Sequence, residues 1–275
     1  MKKLSLLSVV LFFLFSFTEP SKKWVAIGDS ITYLNDHLDQ TENRVTKGYL
    51  TQVKEKLPQV EFVNKGYNGW TVIKIADNIE KLGIEKADIY SVFLGTNDWW
   101  GGNALGTFED YKNSTGTKTV FGAYRQIMDK IKSLNPDAKV VLLTPMKRMD
   151  FVYLSNFKNK AYGSYKEKNN QSLEQFSDAV VQIGRYENVE VVDLFHHKKL
   201  DYRYLVKFNY SFDKESGKYL KLKYPHNKNL TFDPEKDKYP YPVDAVDMTF
   251  DGLHPSDGGN KVIAKELVKK FKLWL

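Results

Sequence analysis

The chain has 275 residues, 42% hydrophobic and 27% charged, with a net charge of +7. That apolar fraction builds a sizeable core and excludes disordered and low-complexity classes, while the absence of cysteine excludes disulfide frameworks, thiolate-bound metals, iron–sulfur clusters and thiol catalysis. The 41 basic residues are 36 lysines and 5 arginines spread along the whole chain, which reads as a solvated surface and argues against a nucleic-acid partner.

Residues 1–20 begin with Lys2 and Lys3 and continue as an apolar run of 14 residues, Leu4 to Phe17. That run suits the core of a signal peptide and is short for a bilayer span. The expectation is export, to the periplasm or outside the cell, with an uncleaved N-terminal anchor as the alternative. No cysteine follows for lipid attachment, and no further apolar stretch predicts a membrane span in the mature chain.

From residue 22 onward, short apolar runs alternate with amphipathic segments. The runs are Val25–Ile27, Val60–Val63, Ile89–Leu94, Val140–Leu143 and Val189–Leu194. They are rich in β-branched residues and mostly continuous, as strands covered on both faces of a parallel sheet are. Between them, Val72, Ile75, Ile79 and Leu82 share one helical face, as do Val120, Tyr124, Ile127, Ile131 and Leu134. Leu173, Phe176, Val180 and Ile183 form a third such face, and Ile263, Leu267 and Phe271 a fourth. Strand–helix alternation of this kind predicts right-handed crossovers and a three-layer α/β/α sandwich. Without internal repeats or a flexible linker, residues 21–275 read as one domain.

The stretch 195–248 breaks the rhythm. It mixes Tyr, Phe and Lys with Pro225, Pro234, Pro240 and Pro242, and it is too long for a plain connection. Two readings stand: an excursion that packs its aromatics on the core, or a wall of the substrate cleft.

Ligands of open parallel sheets bind beyond the carboxyl ends of the strands, so the turns that follow the strands hold the candidate chemistry. They are Gly28-Asp29-Ser30, Asn64 to Gly69, and Gly95-Thr96-Asn97-Asp98, with Asp251-Gly252-Leu253-His254-Pro255 ahead of the last helix. Ser30 at a strand-to-turn corner is a candidate nucleophile, His254 its base, and Asp251, three residues earlier, the carboxylate that orients the ring. The Ser30 and Gly69 N–H groups and the Asn97 amide are candidate donors to a developing oxyanion. Trp70, Trp99 and Trp100 follow those turns directly and are candidates for lining the substrate pocket, with core packing as the alternative. His37, His196, His197 and His226 show no metal-ligand spacing and read as surface or structural residues.

GDS at 28–30, the turn ending at Gly69, GTND at 95–98 and DGLHP at 251–255 resemble, in order and spacing, the sequence blocks of the SGNH (GDSL-type) hydrolases. The resemblance covers residues 24–272. It implies Ser30 as nucleophile, Gly69 and Asn97 as oxyanion donors, His254 as base with Asp251 as its partner, and a flavodoxin-like sheet. Ile31 stands where the family usually has Leu, and Gly66 is the fallback for the second donor. G-x-S-x-G, G-x-x-x-x-G-K, G-x-G-x-x-G and H-E-x-x-H are all missing, so no cofactor and no metal are expected. The resulting expectation is a secreted serine esterase acting on an O-acylated, most simply O-acetylated, carbohydrate. The alternatives are a lipid acylhydrolase or thioesterase, an acyltransferase, and a non-catalytic glycan-binding protein on the same fold.

Overall fold

A computed structural model describes residues 21–154, 160–230 and 232–275; the leader predicted over residues 1–20 lies outside them. In chain order the first half holds β1 (Lys22–Gly28), α1 (Ser30–Tyr33), α2 (Tyr49–Lys56), β2 (Val60–Gly66), α3 (Val72–Asp77), β3 (Ile89–Phe93) and α4 (Thr96–Gly101). Next come α5 (Phe108–Lys112), α6 (Val120–Leu134), β4 (Lys139–Leu143), β5 (Phe151–Val152), β6 (Lys160–Ala161) and α7 (Leu173–Glu187). The last are β7 (Glu190–Val192), α8 (Tyr202–Leu205), β8 (Asn209–Asp213), β9 (Lys218–Leu222) and α9 (Asp257–Phe271).

The central sheet runs β2-β1-β3-β4-β7, every pair parallel. The continuous apolar runs of the sequence are these strands, and β3 is buried along its whole length. Alternate residues feed two cores. Val25, Ile27, Tyr90, Val92 and Leu142 face α3, α6 and α7; Trp24, Ala26, Ile89, Phe93, Val141 and Leu143 face α2 and α9. Trp24 sets its ring edge-on to Phe271 at 4.9 Å while its indole N–H reaches Ser91 Oγ at 2.9 Å, which satisfies the polar end of a wholly buried side chain. The three-layer α/β/α arrangement and its flavodoxin-like strand order match the expectation.

Register fixes where the chemistry falls. Gly28 pairs with Gly66 on one side and Phe93 on the other, so β1, β2 and β3 end level and their following turns lie side by side.

Two differences from the sequence reading concern helices, and the structure decides between the two readings of 195–248. The helix expected through Leu82 stops at Asp77, where the Asn78 side chain caps the Lys74 carbonyl at 2.9 Å; Ile79 stays buried from the turns that follow. Helix α2, unread in the sequence, buries Tyr49, Leu50 and Val53 on a single face. Within 195–248, Leu200, Leu205, Val206 and Tyr241 join the α2/α9 core, and β8 and β9 form an antiparallel hairpin. Among the described residues no helix is long and apolar enough to cross a membrane.

Candidate active site

Strand β1 delivers Ser30 to the first position of α1. Asp29 caps that short helix, its Oδ1 accepting from the Ile31 N–H at 3.0 Å. Burial lifts the Asp29 carboxyl from 3.8 to about 6, against the lowering pull of that N–H and of His254. A Cβ on Gly66 would lie 2.2 Å from the Tyr33 backbone nitrogen, so only glycine lets the end of β2 approach α1 this closely.

The loop before α9 brings the base. His254 Nε2 lies 2.9 Å from Ser30 Oγ, and Nδ1 lies 2.6 Å from Asp251 Oδ2. The other carboxylate oxygen, Oδ1, accepts from the Leu253 N–H at 2.9 Å and the His254 N–H at 2.7 Å. Nδ1–H therefore donates to Asp251, and Nε2 is left to accept the Ser30 proton. All three residues are buried. Ser256, not Asp251, caps α9, its Oγ accepting from the Gly258 N–H. Phe250 lies nearly parallel to the His254 ring at 5.8 Å, and Phe151 meets it edge-on at 5.3 Å.

The two remaining turns meet beside Ser30. The Gly66 N–H is spent on Asn64 Oδ1 at 2.8 Å, which removes it as a donor. Gly69 has φ +72° and empty space where a Cβ would be, and among the described residues nothing accepts from its N–H. Asn97 Nδ2 donates to the Trp70 carbonyl at 2.9 Å, so its side chain touches the Gly69–Trp70 segment and keeps one N–H free.

A cleft of about 460 Å³ adjoins this group, lined by Leu34, Asp39, Gln40, Glu42, Asn68, Tyr153, Leu154, Phe250, Asp251 and His254. The predicted tryptophans are not among its lining. Trp99 is fully buried, with its indole N–H on the Gln171 carbonyl at 3.1 Å; it is a core residue, a correction to its candidacy for substrate binding. Trp70 stacks on Tyr67 at 4.6 Å under the Lys74 ammonium. Trp100 lies between the Lys168 ammonium, 3.8 Å from its ring, and the Arg148 guanidinium at 5.2 Å. Among the described residues the stretch 195–248 contributes no lining residue to this cleft; its Tyr241 hydroxyl donates to the Asp150 carbonyl. A larger hollow, about 680 Å³, lies at the β8–β9 hairpin between Phe212, Tyr219, Lys214 and Lys236 and contains none of the candidate site residues. Among the described residues no group of three His, Cys, Asp or Glu side chains is placed to hold a metal ion.

Sequence reasoning passed over Phe151, Arg148 and the cleft residues 34–42. Arg148 is buried beside Asp150, its Nη2 on the Ala161 carbonyl at 3.2 Å and its guanidinium 5.9 Å from the Phe151 ring, so it steadies the β5–β6 pair against His254. Burial lowers its pKa to about 10, which leaves it charged at neutral pH. Phe250 was signalled only by its place directly before the Asp251 block.

A parallel sheet in this order, with serine, histidine and aspartate in one hydrogen-bonded line beyond its carboxyl edge, has the architecture of the SGNH-type hydrolases. The chain belongs to the GDSL-like lipase/acylhydrolase family, whose signature matches residues 26–215, and it is a carboxylic ester hydrolase. The matched span ends before Asp251 and His254, and the fold returns His254 to Ser30. A possible lipase from Chitinophaga pinensis is 56% identical, with a TM-score of 0.91 over 92% of this chain and 99% of that one. An acetyl xylan esterase is 20% identical, with a TM-score of 0.54 over 90% of this chain and 98% of that one. A mutant of an acetyl-xylooligosaccharide esterase from Geobacillus Stearmophilus is also 20% identical, with a TM-score of 0.53 over 91% and 94%. At these lower identities the likeness is one of fold. Comparison with curated proteins gives no match.

Proposed function

We propose that the protein is an exported serine esterase that removes short O-acyl groups, acetyl above all, from a carbohydrate through an acyl-enzyme on Ser30. The observation that carries this reading is the unbroken line Ser30 Oγ–His254–Asp251, with separations of 2.9 and 2.6 Å. Ser30 attacks the acyl carbonyl while His254 Nε2 takes its proton. Asp251 holds the ring in the accepting tautomer and stabilises the imidazolium that forms. The Ser30 and Gly69 N–H groups and the Asn97 amide receive the oxyanion. His254 then protonates the leaving alcohol, and water enters by the same steps in reverse. The reaction needs no cofactor.

The cleft supports the substrate class. Its walls mix Leu34, Leu154, Phe250 and Tyr153 with Asp39, Gln40, Glu42 and Asn68, a lining that offers hydrogen bonds to a polyhydroxylated group in place of a continuous apolar channel for an acyl chain. The acetyl-ester substrates named for two structural neighbours agree with it. Export rests on the apolar leader after Lys2 and Lys3. A lipid acylhydrolase is the second reading, favoured by the description of the relative at 56% identity as a possible lipase.

Initial rates on p-nitrophenyl esters from acetate to palmitate, together with acetate release from acetylated xylan, test the proposal. A steep fall in kcat/KM beyond butyrate, with acetate released from the polymer, is the expected result. A maximum at long chains would replace it with the lipid reading.

A further inference from the structure

Asp98 is a wholly buried residue that the acyl-transfer chemistry does not use. It follows Asn97 directly, yet two of its three partners belong to α3. Oδ2 accepts from the Val72 N–H at 2.8 Å, and Oδ1 from the Ile73 N–H at 3.5 Å and the Asn103 amide at 3.2 Å. Val72 and Ile73 open α3, whose third N–H, that of Lys74, is capped separately by Thr71 at 3.0 Å. Among the described residues no cation hydrogen-bonds to Asp98, and burial raises its carboxyl from 3.8 to about 6. Asp29, itself buried, lies near enough to add like-charge repulsion between the two carboxylates. A buried carboxylate held only by N–H donors is a standing cost to the fold, and such costs are retained where geometry matters.

The connection Asp98 makes runs between the two donor segments. From α4, Asn97 grips the Trp70 carbonyl at 2.9 Å, and one residue on, Asp98 grips the start of α3. Residues 70–73 are thus pinned at two points by consecutive side chains, and Gly69 is the next residue toward the amino end. Gly69 cannot hold itself in place: it sits at φ +72° with nothing packed where a Cβ would be. We propose that Asp98 is a positioning residue, whose carboxylate ties the amino end of α3 to α4 and so fixes the Gly69 N–H relative to the Asn97 amide. The proposal rests on the reading of those two groups as oxyanion donors.

An amide in place of the carboxylate offers one acceptor oxygen and turns its NH₂ toward a backbone N–H, which releases one of the two anchors. Asp98→Asn should therefore lower kcat by ~10–10²-fold with KM within about twofold, because a displaced donor is felt in the transition state and not in ground-state binding. Combined with Asn97→Ala, it should add less than threefold to the loss caused by Asn97→Ala alone, since both act on one oxyanion site. Val72→Pro is the second probe. It deletes the N–H that meets Asp98 Oδ2, at the one helical position where proline is tolerated, and should reproduce the kcat loss. Thr71→Val is the control: it removes the other cap of α3 and should lower Tm while leaving kcat unchanged.

The proposal is overturned if Asp98→Asn and Val72→Pro lower only Tm, if the losses of Asp98→Asn and Asn97→Ala multiply, or if Thr71→Val costs as much in kcat as Asp98→Asn. Failure of the underlying functional reading looks different, because Ser30→Ala would then keep its esterase activity.

Discussion

Asp251→Asn probes the reading of His254 as a base whose tautomer is imposed by its partner. The substitution is isosteric, and the structure dictates how the new amide must sit. Asp251 Oδ1 accepts from two backbone N–H groups, at 2.9 and 2.7 Å, so in the variant the carbonyl oxygen is drawn to that position. The NH₂ is then forced to the Oδ2 position, 2.6 Å from His254 Nδ1. It can only donate there, which moves the ring proton to Nε2, the atom that must accept from Ser30. The neutral amide also cannot stabilise the imidazolium. Together these effects place the loss in kcat at ~10³–10⁴, the magnitude associated with a wrong tautomer in serine hydrolases. The two backbone hydrogen bonds survive, so Tm should change by no more than a few degrees. Steady-state kinetics on p-nitrophenyl acetate, with the folded fraction verified by thermal melting, measures both quantities. His254→Ala should be at least as damaging, and the double variant little worse than the worse single one. A drop in Tm with kcat retained within tenfold would refute the reasoning and make Asp251 a purely structural residue.

Asn97→Ala should lower kcat by ~10²–10³-fold with little change in KM; a raised KM at unchanged kcat would make it a ground-state contact. Gly66→Ala should destabilise the fold and depress activity together, because its Cβ has only Tyr33 and Thr32 backbone to displace; near-wild-type Tm and kcat would contradict the close approach of β2 to α1. Asp29 and Asp98 set a pH dependence of stability. Each has a folded-state pKa of about 6 against 3.8 for the free group, so the folded chain holds these protons more tightly than the unfolded chain. Their contribution is greatest at low pH and falls as pH rises through that window. Between pH 5 and 7.5 it declines by roughly 1 kcal/mol per group. Asn at either position should flatten the fall in unfolding free energy between pH 5 and 7.5; slopes identical to wild type would show that these carboxyls do not titrate as described.

The parts of this architecture legible in the sequence are those set by short-range physics. Continuous β-branched runs mark strands covered on both faces, and the turns after them carry Ser30, Asn68–Gly69 and Asn97 to one edge because β1, β2 and β3 end level. Asp251 and His254 are three residues apart, a separation that one turn closes. What escaped depends on long-range partners. The capping role of Asp98 involves Val72, 26 residues away, and nothing near Asp98 announces it. Trp99 and Trp100 are adjacent on α4, where a step of one residue rotates the side chain by about 100°; Trp99 is fully buried while Trp100 packs against the core only partly buried, and the Trp-Trp pair itself gives no sign of which. Leu34, Asp39, Gln40 and Glu42 come from short 3₁₀ turns with no hydrophobic period to read. The aromatic stretch 195–248 was ambiguous because aromatics serve cores and sugar-binding faces equally well, and here Leu205, Val206 and Tyr241 go to the core.

The central claim is that Ser30, deprotonated by His254, forms a covalent bond to the acyl group. Incubation with a fluorophosphonate ester, followed by intact-mass measurement and peptide mapping, tests it directly, because the reagent is trapped at the serine that acts as nucleophile. The account predicts one adduct per chain, located on Ser30, formed at a rate that collapses in His254→Ala. An adduct on another residue, or labelling that persists undiminished in Ser30→Ala, would contradict it.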